Sequence, residues 1–163
     1  MTPTIATLRP DDIAATLSHL LRLSAPDRSL RFAAGLVTDE TIRRYAASIR
    51  FGHDGAFGLV DDDGAVVGLA HACVYEVRGS MHIEAAFSID AVWRGLGFGR
   101  AMMAATREFA ERAGADVLVG LCVARNLPMR RIFAHAGMTM TRDEDEIHAW
   151  SRVVAPVSQS THP

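Results

Sequence analysis

Hydrophobic residues recur at helical spacing in the first third of the chain. Residues Ile5 to Leu8 predict a short strand, and Pro10-Asp11-Asp12 then supplies a helix start. An amphipathic helix is predicted by the apolar stripe that follows, formed by Ile13, Leu17, Leu20, Leu21 and Leu23. The stretch Ser24-Ala25-Pro26-Asp27 ends it, a short segment follows through Leu36, and Thr38 opens a further helix. We expect this region to be helical and partly exposed.

The middle of the chain changes to runs typical of β-strands, separated by short turns. The runs are Phe57–Val60, Val66–Tyr75 and Ile83–Ile89, and the turns lie at Asp61–Gly64 and Arg78–Ser80. Since each turn is short, neighbouring strands can pair directly. We therefore predict three consecutive antiparallel strands.

The last third alternates between helical and strand patterns. An apolar stripe from Met102 to Ala113 predicts a helix that ends at Gly114, and the continuous apolar run Val117–Val123 is typical of a strand covered on both faces. Asn126-Leu127-Pro128 then opens a helix that stops at Gly137. A final hairpin is predicted from Thr139–Arg142 and Ile147–Val153. We expect one domain over residues 1–154 and a disordered tail over residues 155–163.

Composition narrows the class of protein. With 163 residues, 49% hydrophobic and 22% charged, the chain can bury one core. Its net charge of −2 offers no bulk attraction for nucleic acid or an anionic membrane. Cys73 and Cys122 lie in apolar runs without metal or redox spacing, so we expect reduced, buried thiols. Without a signal sequence or an apolar run of roughly 18 residues, a soluble cytoplasmic protein is expected.

Three glycines at alternate positions, Gly95, Gly97 and Gly99, lie between a predicted strand and a predicted helix. Glycine within regular structure costs about 0.5–1 kcal/mol relative to alanine, which suggests that the backbone passes close to another group. The amides at a helix start form a binding site for anions such as a pyrophosphate. The spacing matches neither the GxGxxG fingerprint nor a P-loop, and a purely structural tight turn remains the alternative. The strand, turn, helix and strand together predict a parallel pair within the sheet.

Three motifs in order give this chain a family resemblance. Arg94-x-x-Gly97-x-Gly99 resembles the (Gln/Arg)-x-x-Gly-x-(Gly/Ala) signature of the GNAT superfamily of acyl-CoA-dependent N-acyltransferases. The run Glu84–Asp90 resembles the strand before that signature, and Asn126-x-x-Met129-x-x-Ile132-Phe133-x-x-x-Gly137-Met138 resembles the family's later helix. Within the family, the chain is most similar to the catalytic domain of bacterial protein-lysine acetyltransferases.

The resemblance implies an α+β fold and a binding site for acetyl-CoA. The fold would have a mostly antiparallel central sheet of six to seven strands, with one parallel, splayed pair and about four flanking helices. The residues expected to bind acetyl-CoA by this resemblance are Phe87, Ser88, Ile89, Arg94, Gly95, Leu96, Gly97, Phe98, Gly99, Arg100, Asn126 and Phe133. For Asn126, a role as a helix N-cap is an equal alternative.

Glu84 is the candidate general base for acyl transfer. A lysine-like amine has a pKa of about 10.4, so a group must remove its proton before it attacks a thioester. Glu84 is a charged residue in an otherwise apolar strand, and its position resembles that of a glutamate base in part of the family. A solvated strand residue is the alternative, and the weaker base candidates are Glu76, Asp90, His71 and His82.

Phe133 stands where many family members carry a tyrosine that is proposed to protonate the leaving thiolate. A phenyl ring cannot donate this proton, so the identity of the general acid stays open. Cys122 is interpreted as a buried structural thiol rather than an acid or a nucleophile. We therefore expect direct attack in a ternary complex, without an acyl-enzyme.

The sequence thus predicts an N-acetyltransferase that transfers the acetyl group of acetyl-CoA to a primary amine, either a protein lysine or a small molecule. The alternatives are a non-catalytic acyl-CoA-binding or sensor protein and a glycine turn that binds no ligand. The histidines lack HxxxH or HExxH spacing, so no metal is expected. Neither nucleic acid nor a membrane is an expected partner, and a homodimer is compatible with the sequence.

Overall fold

One seven-stranded sheet organises the chain in the computed structural model, which describes residues 2–154. The strands run in the spatial order β1-β2-β3-β4-β5-β7-β6. Their bounds are Thr4–Thr7 for β1, Gly55–Val60 for β2, Val66–Val77 for β3, Ser80–Ile89 for β4, Val117–Val123 for β5, Thr139–Asp143 for β6 and Glu146–Arg152 for β7. The predicted tail over residues 155–163 lies outside the described residues.

Five α-helices flank the sheet in the described part of the chain. Their bounds are Ile13–Arg22 for α1, Ala25–Phe32 for α2, Asp39–Ser48 for α3, Phe98–Ala113 for α4 and Leu127–His135 for α5. None of these helices is long and apolar enough to cross a bilayer. The stretch after α1, expected only to end that helix, also starts α2, because the Ser24 hydroxyl caps the Asp27 amide at 3.2 Å.

The sheet confirms the predicted α+β architecture with one parallel pair. All neighbouring strands are antiparallel except β4 and β5, which are linked by the crossover helix α4. Helices α1 and α3 cover one face, where Leu20, Ile42 and Leu69 are fully buried. Helices α4 and α5 cover the other face, where Met103 and Phe133 pack. The prediction that β5 is covered on both faces is wrong: Leu118 and Cys122 are buried on the α4 and α5 side, whereas Leu121 on the other face is exposed, because α1 and α3 do not extend over this strand.

Gly120 allows α5 to pack directly against β5. A Cβ at this position would lie 2.4 Å and 2.5 Å from ring atoms of the fully buried Phe133. We expect Gly120→Ala to lower the free energy of unfolding by about 1–3 kcal/mol, because the packed ring has no free space to move into. Urea unfolding would measure the change. Gly35→Ala is the control, since its Cβ would meet nothing within 4 Å; equal stability of the two variants would contradict this packing argument.

Candidate active site

A cleft opens where β4 and β5 separate. The ladder between them ends at the pair Ala85 and Gly120, although both strands continue beyond it. The cleft has a volume of about 150 Å³, and α2 and α5 supply much of its wall. Its lining residues are Leu23, Asp27, Leu30, Arg31, Phe87, Ser88, Ile89, Arg94, Asn126, Pro128, Met129 and Ile132. Five of the residues predicted to bind the cofactor therefore meet here: Phe87, Ser88, Ile89, Arg94 and Asn126.

The glycine turn lies between β4 and α4. Gly95 and Gly97 have φ angles of +75° and +89°, which residues other than glycine rarely adopt. Gly97 is the N-cap of α4. Gly99 has a different role, because its Cβ would lie 2.7 Å from the Cδ1 atom of Ile132. The amides of residues 96–99 find no acceptor within residues 2–154, whereas the Arg100 amide donates to the Gly97 carbonyl at 3.1 Å. The turn therefore presents four free donors to an anion.

Arg94 holds the glycine turn against two neighbouring elements. Its Nε donates to the Ile89 carbonyl at 2.8 Å, and its two Nη atoms lie 3.0 Å and 2.9 Å from the two carboxylate oxygens of Asp27. The hydrogen bonds from Arg94 hold the pKa of Asp27 below its usual value. This side chain thus links β4, the turn and α2, and its charge is already neutralised.

Asn126 caps α5 and also lines the cleft. Its Oδ1 accepts a hydrogen bond from the Met129 amide at 3.2 Å, so the two interpretations of this residue are compatible. Its side-chain Nδ2 has no hydrogen-bond partner among the described residues, whereas its backbone amide donates to the Val123 carbonyl at 2.9 Å. Phe133 lies on the same helix but is fully buried against Gly120, below the cleft rather than in its wall.

Glu84 is exposed on β4, one residue before the end of the β4–β5 ladder. It pairs with Cys73 on β3 and Val119 on β5. Because side chains alternate along a strand, Glu84 shares its face of β4 with Ser88, which contacts α1 through His19. Glu84 therefore lies on the α1 and α3 side of the sheet, near the point where the strands separate.

The weaker base candidates have other partners. His71 is buried, and burial lowers the pKa of its imidazole. Its Nδ1 lies 2.7 Å from the Tyr45 hydroxyl and its Nε2 lies 3.1 Å from Asp54. His82 stacks against Tyr75 with ring centroids 5.5 Å apart. Of the two remaining base candidates, Glu76 is exposed on β3, and Asp90 contacts His19 and Arg22.

Asp54 anchors a buried polar cluster that the sequence does not reveal. Burial alone would raise the pKa of its carboxyl, but hydrogen bonds from His71, the Val74 amide and Arg50 hold it at about 2. Ligand atoms of Asp54, His71 and Cys73 lie within 4.8 Å of one another. The Arg50 guanidinium already approaches the same carboxylate at 2.7 Å. This cluster therefore holds an ion pair that fixes His71 and, through it, Tyr45.

A second buried contact joins α1 to the cleft. The Nε2 atom of the fully buried His19 lies 2.8 Å from the Ser88 hydroxyl, and its Nδ1 lies 3.0 Å from a carboxylate oxygen of Asp90. Arg22 approaches the other Asp90 oxygen at 2.9 Å. These residues are far apart in sequence and form no local motif, so sequence reasoning missed the part played by His19.

The two cysteines differ in burial. Cys122 is buried as predicted, and burial raises the pKa of its thiol to about 11. Such a thiol is protonated at neutral pH and is a poor nucleophile. Cys73 is only half-buried, which differs from the prediction, because it lies on β3 beside the exposed Glu84.

The comparison with protein-family models decides the family. The model described as an acetyltransferase (GNAT) domain matches residues 4–139. The chain belongs to the GNAT acetyltransferase family. This confirms the resemblance inferred from the three sequence motifs, and the matched range contains the glycine turn, the cleft and Glu84. A search of curated protein sequences finds no match.

Solved structures of other GNAT proteins share the fold. The GNAT domain of S. lividans PAT has a TM-score of 0.75 at 16% identity, over 91% of this chain and 89% of that one. A phosphinothricin acetyltransferase from Sinorhizobium meliloti, in complex with AcCoA, has a TM-score of 0.73 at 14% identity, with coverages of 98% and 95%. Spermidine N-acetyltransferase from Vibrio cholerae, in complex with CoA and spermine, has a TM-score of 0.69 at 13% identity, with coverages of 93% and 96%.

Proposed function

We propose that residues 1–154 form one N-acetyltransferase domain, which transfers the acetyl group of acetyl-CoA to a primary amine. The observation that carries this proposal is the cleft between β4 and β5 beside the four unpartnered amides of residues 96–99. The first amides of a helix have no intrahelical acceptor, and the exposed glycine turn leaves those of residues 96–99 open to a ligand. A bound pyrophosphate would satisfy these donors. Family membership and the relative that binds AcCoA support the same donor.

The cleft fits the extended arm of acetyl-CoA. Beyond Ala85 the backbone of β4 is not paired with β5, so its edge can bind pantetheine as it would bind an added strand. Asn126 lines this route at the start of α5, where its Nδ2 can donate a hydrogen bond to the arm. The thioester would then lie near the end of the ladder. We propose that Phe87, Ser88 and Ile89 bind the arm, while the turn from Arg94 to Arg100 binds the diphosphate.

Glu84 is proposed to deprotonate the attacking amine. It is exposed near the end of the ladder, on the face covered by α1 and α3. Directly or through water, the Glu84 carboxylate takes one proton from the bound ammonium, the resulting neutral amine attacks the thioester carbonyl, and the C–S bond breaks. A thiol has a pKa of about 8.5, so the thiolate leaves without a dedicated acid and takes a proton from the attacking ammonium or from water. The absence of a tyrosine hydroxyl at Phe133 is compatible with this route.

The state of the two thiols supports a proposed location in the cytoplasm. Neither cysteine is bonded to another, which agrees with the reducing cytoplasm where disulfides are rare. The structural neighbours include a spermidine N-acetyltransferase and a phosphinothricin acetyltransferase, so proteins of this fold acetylate different amines. The acceptor is therefore proposed as a primary amine, in a small molecule or on a lysine side chain.

The proposal is tested by measuring CoA release from acetyl-CoA with a panel of amino acids, polyamines, aminoglycosides and lysine peptides. We expect release that depends on an amine, together with thermal stabilisation of the protein by acetyl-CoA alone. Stabilisation without turnover on any amine would favour the non-catalytic binding protein, for which the replacement of the family tyrosine by Phe133 is the supporting observation. No stabilisation would contradict binding of the donor by the glycine turn.

A further inference from the structure

Arg31 is a cation in the wall of the cleft, and none of its partners among the described residues is acidic. It belongs to α2 and lines the cleft together with Asp27 and Leu30. Asp27 is neutralised by Arg94, and within residues 2–154 no carboxylate lies within ion-pair distance of the Arg31 guanidinium. The charge of this half-buried guanidinium is therefore not neutralised by any carboxylate in that range and can pair with an anionic ligand in the cleft.

Two aromatic rings and one hydroxyl fix the orientation of Arg31. Its guanidinium carbon lies 5.0 Å from the ring centroids of both Phe32 and Tyr45. The Nη2 atom donates to the Tyr45 hydroxyl. This hydroxyl also contacts His71, which in turn contacts Asp54. The Nε atom is buried and has no hydrogen-bond partner among the described residues. The Nη1 atom also has no hydrogen-bond partner among those residues but is not buried, so the oriented guanidinium keeps a donor that an anion in the cleft can reach.

The position of Arg31 assigns it to the acceptor end of the cleft. Asp27, one helical turn earlier on α2, contacts Arg94 in the glycine turn. Arg31 instead reaches Tyr45 and the vicinity of His71, which pairs with Ala86 directly after the end of the β4–β5 ladder. The phosphate end and the Arg31 end are thus separated along α2. Arg31 is thus held at Tyr45 of α3 rather than at the turn proposed to bind the diphosphate, which favours the acceptor as its anionic ligand.

We propose that Arg31 binds a carboxylate of the acceptor, so that the substrates are amino acids with a free carboxylate rather than polyamines. This inference rests on the proposed function and narrows its acceptor class. The planar guanidinium matches a carboxylate in shape and charge, and its contact with Tyr45 places it on the side of the ladder end, where the thioester is proposed to lie, as the short span of an amino acid requires. A polyamine would place a second positive charge beside an unneutralised arginine, which disfavours its binding.

The test compares amino acids with their carboxamides, which keep the amine and lose the charge. In the wild type, kcat/KM is expected to favour the amino acids by about tenfold or more, the size of one hydrogen bond between charged groups. Arg31→Met should remove this preference without changing the affinity for acetyl-CoA. Arg31→Lys keeps the positive charge and should retain part of the preference for amino acids. This variant separates the effect of charge from the effect of packing. Arg131→Met, an exposed arginine on α5, is the matched control and should keep the full preference.

Binding provides a readout that does not need turnover. Calorimetry with the CoA-loaded protein should detect the preferred amino acid in the wild type and in the Arg131→Met variant, and a loss of about tenfold in affinity in Arg31→Met. Failure of every amine to react would count against the proposed function, and calorimetry would still decide the role of Arg31. Equal activity on amino acids, carboxamides and polyamines would overturn this inference alone. So would a loss of acetyl-CoA affinity in Arg31→Met with the amino-acid preference intact.

Discussion

The Glu84→Gln variant is expected to acetylate amines about a hundredfold more slowly than the wild type, within the usual range for loss of a general base. Glutamine keeps the size and the exposure of the side chain but cannot accept the proton of the attacking ammonium. The effect should appear in kcat, because Glu84 lies on β4 outside the wall of the cleft and the donor site remains intact. Initial rates of CoA release at saturating acetyl-CoA would measure it.

Glu76→Gln is the matched control for this variant. Glu76 is also an exposed glutamate of the same hairpin, but it lies on β3 farther from the point where the strands separate. We expect its kcat to stay within about twofold of the wild type, as for a surface substitution away from the site. A rise in pH should partly restore the rate of Glu84→Gln, since more of the amine is then neutral. Equal rates for wild type and Glu84→Gln would show that Glu84 is only a solvated strand residue.

Replacing Gly97 with alanine is expected to weaken the binding of acetyl-CoA by about tenfold or more, or about 1.4 kcal/mol. Gly97 has a φ angle of +89°, and alanine there strains the backbone by about 1–2 kcal/mol. If the turn relaxes to reduce this strain, the four free amides of residues 96–99 no longer point at one anion. If it does not relax, the new methyl group projects into open space beside them. Isothermal titration calorimetry would measure the affinity.

Gly64→Ala separates loss of stability from loss of the site. Gly64 has a φ angle of +79° in the turn between β2 and β3, and its Cβ would also meet nothing within 4 Å. Both variants should therefore lose similar free energy of unfolding, while acetyl-CoA affinity falls only in Gly97→Ala. If both variants bind acetyl-CoA as tightly as the wild type, the glycine turn is a structural turn and the diphosphate site must be sought elsewhere.

Much of the fold could be predicted because its signals are local. Short turns between β-type runs specify the antiparallel strands β2 to β4, and a strand, turn, helix and strand unit specifies the parallel pair. The glycine spacing also predicted the turn at the start of α4, and Arg94 in this turn lines the cleft. What spacing could not show is that Gly99 is required by contact with Ile132, whereas Gly95 and Gly97 are required by their backbone angles. The three glycines look alike in sequence and differ only in three dimensions.

The acceptor side could not be predicted in the same way. Tyr45 and His71 are 26 residues apart, His19 and Ser88 are 69 residues apart, and no local pattern links either pair. The segment after α1 carries mixed polar and apolar residues, so it gave no sign that α2 would lie over the cleft. Phe133 was predicted to bind acetyl-CoA because it occupies a position that does so in the family. Its ring instead packs against Gly120 in the core, and a sequence motif cannot show such packing.

The separation of β4 from β5 leaves an unpaired strand edge in the middle of the sheet. Such an edge invites pairing with a strand of another molecule and can start aggregation. Here α2 lies across the gap, joined to one side by Asp27 and Arg94 and to the other by the Ser29 hydroxyl and Arg125, 3.2 Å apart. Helix α2, which forms part of the cleft wall, therefore also covers this strand edge. Substitutions that loosen α2 would reduce the yield of soluble protein even where every residue of the site is retained.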